Sequence, residues 1–159
     1  MKRVWISALA LFAASGAGLL SSSGARATIE DEKLDAAKLK DMVVNLGYEV
    51  KALNTEQGKE KWQFSVSKGG YDVPIGVEIS PSTNYIWLTI SFGEVKKDAK
   101  FEELLKKNGE IQPANFYITK KGFLMMGLAI DNRKVTPATM KRCVDLVAQD
   151  TADTADLWK

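Results

Sequence analysis

Trp62-Gln63-Phe64-Ser65-Val66-Ser67-Lys68-Gly69-Gly70, with the Val73-Pro74-Ile75-Gly76-Val77-Glu78-Ile79 that follows, decides the fold. Apolar and polar residues alternate through both runs. Side chains on a strand point to opposite faces in turn, so each run offers one face to a core and keeps the other apart. Lys68-Gly69-Gly70 is a turn, and Pro81-Ser82-Thr83-Asn84 turns the chain again. Ile86, Leu88, Ile90 and Phe92 then alternate with Tyr85, Trp87, Thr89 and Ser91. Three such runs joined by short turns predict antiparallel strands. Pro74 has no N–H to give a ladder, which predicts an edge position or a bulge.

Outward from this centre the period changes from 2 to 3.6. Residues 28–46 predict a helix, with Leu39, Met42, Val43 and Leu46 on one stripe and Gly47 at its C-cap. Residues 48–54 predict a first strand. Beyond the centre, Asp98 is placed to cap a short helix whose inner face is Phe101, Leu104 and Leu105, ended by Asn108-Gly109. Asn115–Thr119, a Lys120-Lys121-Gly122 turn and Phe123–Ile130 predict a hairpin. Thr136-Pro137 opens a last helix, with Met140, Cys143, Val144 and Val147 as its stripe. The predicted order is α-β-β-β-β-α-β-β-α, an α+β fold with helices on one face of an antiparallel sheet.

The N-terminus reads as a targeting segment. Lys2 and Arg3 precede an uncharged apolar run from Val4 to Ala14, and the run is too short to span a bilayer, which takes about 20 residues. Ala25-Arg26-Ala27 is an A-x-A cleavage pattern, and the chain turns acidic at Thr28-Ile29-Glu30-Asp31-Glu32. Residues 1–27 are therefore expected to be a signal peptide and 28–159 a single exported domain, periplasmic or secreted, with no stable membrane anchor after cleavage. Removal of Lys2, Arg3 and Arg26 leaves 19 basic residues against 20 acidic ones. A net charge near −1 takes away the usual electrostatic case for nucleic acid. The one cysteine, Cys143, forms no intrachain disulfide, and its apolar stripe predicts a buried structural thiol.

Several segments of the second half carry a resemblance: Leu104-Leu105…Asn108, Asn115-Phe116-Tyr117-Ile118, Gly122-Phe123-Leu124, Asn132…Val135-Thr136-Pro137 and Ala152-Asp153…Leu157-Trp158. From about Met42 to Trp158 the chain resembles the fold shared by type III secretion chaperones and the YbjN-like bacterial proteins. The resemblance implies a non-enzymatic protein, often dimeric, that binds protein segments. The signal peptide departs from it, because those chaperones work in the cytosol. Their role with secreted effectors is accordingly not carried over.

The chemistry the chain lacks narrows its function. It has no histidine, which removes imidazole bases and His-containing triads. One thiol cannot build a zinc site of the Cys/His kind. No glycine-rich phosphate loop occurs. Ser65-Val66-Ser67-Lys68 fits the S-x-x-K pattern, but at a strand end its serine and lysine point to opposite faces, and no S-D-N or K-T-G follows. Glu102 and Glu103 suit a helix start, and Asp150, Asp153 and Asp156 suit a solvated helix end without the loop of a calcium site. The expectation is no catalytic residue, no metal and no cofactor.

What remains is an excess of apolar side chains on the sheet face away from the helices. Tyr85, Trp87, Tyr117, Phe123 and Met125 fall at strand positions that a solvated sheet would fill with polar residues. Tyr and Trp are enriched at interfaces, and Met adapts to varied partners. Either a helix or the terminal Leu157-Trp158 folds over these residues, or they meet a partner. The function expected from them is an exported, non-enzymatic protein-binding module whose partner is a protein segment or a second copy. The alternative is a carrier for a small apolar ligand, or a metal-independent enzyme, with a pocket between helices and sheet.

Overall fold

The computed structural model describes residues 32–159. The predicted signal peptide, residues 1–27, lies outside the described residues. The alternating runs become β2 (Lys61–Lys68), β3 (Tyr71–Ile79) and β4 (Tyr85–Glu94), preceded by β1 (Lys51–Asn54) and followed by β5 (Asn115–Ile118) and β6 (Phe123–Asp131). They form one six-stranded sheet in the order β1-β2-β3-β4-β6-β5, with every neighbouring pair antiparallel. The predicted α+β class and element order hold. A short α4 (Ala155–Trp158) is added after α1 (Ala36–Asn45), α2 (Phe101–Lys107) and α3 (Pro137–Asp153).

The core lies between α1, α3 and one face of the sheet. Leu39 and Val43 of α1 and Met140, Val144 and Val147 of α3 are fully buried, as are Ile75, Val77, Ile86, Leu88 and Met126 from the strands. Burying a Leu, Ile or Met side chain stabilises by about 1.5–3 kcal/mol, so this layer carries most of the fold's stability. Side chains fill it, as interiors packed to crystal-like density require.

The first helix is shorter than residues 28–46 because the chain ahead of it is committed elsewhere. Asn132, fully buried, accepts from Leu34 N–H through Oδ1 at 3.1 Å and donates from Nδ2 to the carbonyls of Leu34 (2.9 Å) and Thr83 (3.0 Å). Lys33 bridges to Arg133 in antiparallel fashion. Asp35 then caps α1, its Oδ1 accepting from Lys38 N–H at 2.8 Å. At the other end Gly47, with φ of +90°, stops the helix as its left-handed conformation predicts. Thr136 caps α3 through Thr139 N–H at 3.1 Å, with Pro137 in the first turn.

Three local expectations need correction. Asp98 does not cap α2; Lys100 stands at the N-cap and makes no side-chain cap bond. Of the three residues predicted for its inner face only Leu104 is buried, while Phe101 is 44% and Leu105 71% exposed. A helix this short lies along the margin of the edge strand, so only one residue reaches the core. The edge position or bulge expected at Pro74 is also corrected, since its register with β2 is continuous. β3 is an interior strand, yet its ladder to β4 runs only from Gly76 to Ile79. At Pro74 the side toward β4 is unpaired, so a residue without an N–H fits.

Candidate sheet-face binding site

Strand register places all five predicted residues on one face. Tyr117 lies directly opposite Met125, Met125 opposite Ser91, Trp87 opposite Ala129 and Tyr85 opposite Asp131, while Phe123 pairs with Glu94 beyond a register shift in β4. Alternation along β4 and β6 puts the buried Ile86, Leu88, Ile90, Leu124, Met126 and Leu128 on the other face. The elements pack accordingly. α1 and α3 contact β2, β3 and β6 through the buried face. Trp158 stacks on Phe92 at 4.9 Å and meets Tyr71 edge-on at 5.8 Å, and its Nε1 donates to Thr151 O at 3.0 Å. The terminal Leu157-Trp158 therefore closes one end of the helical layer and does not fold over the aromatic residues. Tyr85 stays 48% exposed, and Trp87, Tyr117, Phe123 and Met125 are half-buried.

The five are not one flat patch. A row of small or polar residues crosses four strands: Gly76 on β3 opposite Thr89 on β4, Thr89 opposite Gly127 on β6, and Gly127 opposite Asn115 on β5. Neighbouring rows carry the bulk, with Glu78 and Trp87 on one side and Met125 and Tyr117 on the other. The two rings lean into the low row. A Cβ on Gly127 would sit 2.9 Å from Tyr117 Cε1 and 3.7 Å from Trp87 Cζ3, so glycine is what admits them. Gly76 is equally confined, since its Cβ would meet Thr89 Oγ1 at 2.8 Å and Lys61 Cε at 3.2 Å. These overlying side chains bury Thr89, although no described helix crosses this face.

Above the row is an open cavity of about 490 Å³, bounded by Glu78, Pro81, Trp87, Thr89, Asn115 and Tyr117. Glu78 pairs with Lys61 across β2 and β3 at 3.0 Å, both side chains about one-third exposed. Burial raises the Tyr117 phenol above its ordinary pKa, and the nearby Glu78 charge adds to the shift. The structure thus brings Trp87, Tyr117 and Met125 together, with Tyr85 and Phe123 toward opposite ends. Sequence reasoning missed Glu78, Thr89 and Gly127; the isolated glycine inside a strand pattern was the available signal, since it marks close approach of another group.

A second apolar feature lies where α2 meets β5. Phe101, Leu105 and Ile118 are exposed beside a cavity of about 200 Å³, with Leu104, Phe116 and Leu124 behind them. The serine and lysine of the S-x-x-K string point apart. Ser65 is exposed opposite Pro74, while Lys68 lies three positions on, opposite Tyr71 on the other face. Asp153 accepts from Gln149 at 2.7 Å. Asp150 holds a buried Oδ2 with no hydrogen bond, and burial together with Asp153 raises its pKa to about 6. Cys143 is buried, and desolvation raises its thiol pKa, as fits a structural cysteine.

No protein-family model matches the chain, and no curated protein does. Among solved structures, a chain of the HopA1–SchA chaperone–effector complex is similar at a TM-score of 0.47 and 17% identity, covering 69% of this chain and 84% of that one. The Yersinia pestis type III secretion chaperone SycH, solved with a stable fragment of YscM2, is similar at a TM-score of 0.48 and 12% identity, covering 76% of this chain and 96% of the other. Similarity of this degree brings neither family nor function to the chain.

Proposed function

We propose that this protein is an exported, non-enzymatic protein-binding module that receives its partner on the open sheet face. The observation that carries the proposal is the aromatic group Tyr85, Trp87 and Tyr117 with Met125, left uncovered by α1, α3 and α4. Tyr and Trp are among the residue types enriched in binding hot spots. The absence of histidine from the sequence and the separation of Ser65 from Lys68 support a binding role over a catalytic one. A pocket between helices and sheet, which an apolar-ligand carrier needs, finds no support in a layer filled by Leu39, Leu88, Met126 and Met140. YbjN-like kinship belongs to the same proposal and rests on the motif residues of the second half.

The test compares partner capture from periplasmic extract by the natural protein and by Trp87→Ala, beside thermal stability. Loss of a central anchor costs about 2 kcal/mol or more of binding, with a smaller loss of stability. If the fold collapses with no specific binding defect, Trp87 is a core residue and the proposal fails. Export is part of the same proposal. N-terminal sequencing of the protein from periplasm or medium should begin at Thr28, and a chain starting at Met1 in the membrane fraction would refute it. A second copy is the partner we assign to the α2–β5 margin, where Phe101, Leu105 and Ile118 are exposed together.

A further inference from the structure

We infer that the open-face cavity receives an arginine side chain from an extended, basic protein segment. The inference rests on the proposed role of the sheet face and adds the chemistry of the partner. Among the described residues that bound the cavity, Glu78 alone is charged. Lys61 approaches it from β2 and uses Oε1, while Oε2 makes no hydrogen bond among the described residues. The cavity lies on the other side of Glu78, toward β4 and β5, so Lys61 neutralises part of the carboxylate without filling the space.

The other walls suit the same guest. Trp87 and Tyr117 bring their rings together over Gly127, and an aromatic face attracts a cation through its quadrupole. Guanidinium is planar, stacks on such rings and can share a carboxylate oxygen, whereas a compact ammonium holds its hydration more tightly. Thr89 and Asn115 add polar side chains at the floor. An anionic guest would meet Glu78 as a like charge. A purely apolar guest would strip water from the Lys61–Glu78 pair and return no polar contact, which is unfavourable. The low row continues across four strands and is flanked by Met125, with Tyr85 farther along β4, a span that fits a peptide segment better than a compact small molecule.

The experiment titrates the purified protein with a short capped peptide alternating arginine and leucine, and with matched peptides carrying citrulline or glutamate instead of arginine. Calorimetry gives affinity, and the Trp87 indole N–H resonance reports the place. The arginine peptide should bind and shift that resonance, with the citrulline peptide weaker by about ten-fold or more. Glu78→Gln should weaken the arginine peptide by a similar factor and leave the citrulline peptide unchanged. If that variant does not fold, the peptide comparison on the natural protein still decides. Equal binding of the citrulline peptide, or tighter binding of the glutamate peptide, overturns the arginine preference while leaving the face a protein-binding surface. An unmoved Trp87 resonance with all three peptides overturns the inference outright. Failure of the broader proposal is a separate result, namely partner capture that Trp87→Ala does not disturb.

Discussion

Asn108 and Phe116 exchange two hydrogen bonds: the Phe116 N–H donates to Asn108 Oδ1 at 2.6 Å, and Asn108 Nδ2 donates to the Phe116 carbonyl at 3.1 Å. A side-chain amide thereby takes the place of a neighbouring strand on the outer edge of β5. Edge strands present unpaired backbone groups that invite pairing with other chains, and here one residue of α2's C-cap closes the edge. Asn108→Ala should lower stability by about 1–2 kcal/mol, because it leaves the Phe116 N–H without its partner and the carbonyl with only a long bond from Asn115 Nδ2 at 3.5 Å. Urea denaturation measures the loss. Light scattering at rising concentration should show more self-association than the natural protein, and an unchanged denaturation midpoint would contradict this role.

Gly127 tests the packing of the open face. Gly127→Ala places a methyl 2.9 Å from Tyr117 Cε1, so the ring must swing away. The expected stability loss is about 1–2 kcal/mol, typical of overpacking at a tight site. The Tyr117 and Trp87 side-chain resonances should move, while those of Met140 and Val144 stay. Movement confined to the core would show that the ring contact is not what makes glycine necessary.

Asp150 ties stability to pH. Its pKa is raised from 3.8 to about 6, by burial first and by Asp153 second, with Lys107 opposing. At this site the native state therefore binds more protons than the unfolded one between these values, so the contribution of Asp150 to stability is fully present below about pH 4 and is lost as pH rises through about 6. Asp150→Asn removes the charged form. It should stabilise the protein at pH 7 by roughly 1 kcal/mol, a value reduced for the partial exposure of the group, and should give no advantage at pH 4. Thermal melts across this range measure the difference, and an equal gain at both pH values would point to a cause other than ionisation.

The α2–β5 margin gives a separate prediction. Leu105 is the most exposed large apolar residue there, and Ile118 lies beside it at 48% exposure. If a second copy docks there as proposed, the natural protein should sediment as a dimer and Leu105→Glu as a monomer, with the melting temperature of the monomer little changed. A natural protein that is monomeric at high concentration would remove the second copy from the account.

Strands were legible because their alternation is strict. Trp62, Phe64 and Val66, then Val73 to Ile79, then Ile86 to Phe92 all keep their inner positions, and the side of Tyr85 and Trp87 follows from period 2 alone. The start of α1 was not legible. It depends on Asn132, 98 residues from Leu34, and no local pattern announces that bond. The inner face of α2 was misjudged for a related reason: periodicity identifies a stripe, but only tertiary packing decides whether Phe101 and Leu105 reach a core. The cavity was hidden because it depends on which residues lie opposite one another, and the Gly76–Thr89–Gly127–Asn115 row exists only once strand order and register are known.

Whether a partner sits on the open sheet face can be read from a photo-crosslinking benzoylphenylalanine introduced in living cells at Tyr85 or at Met125. Lys40, exposed on α1, is the control on the opposite side. A covalent adduct with another polypeptide is expected from Tyr85 and from Met125, and none from Lys40. No adduct from either sheet position, or an equal yield from Lys40, would contradict a partner on that face.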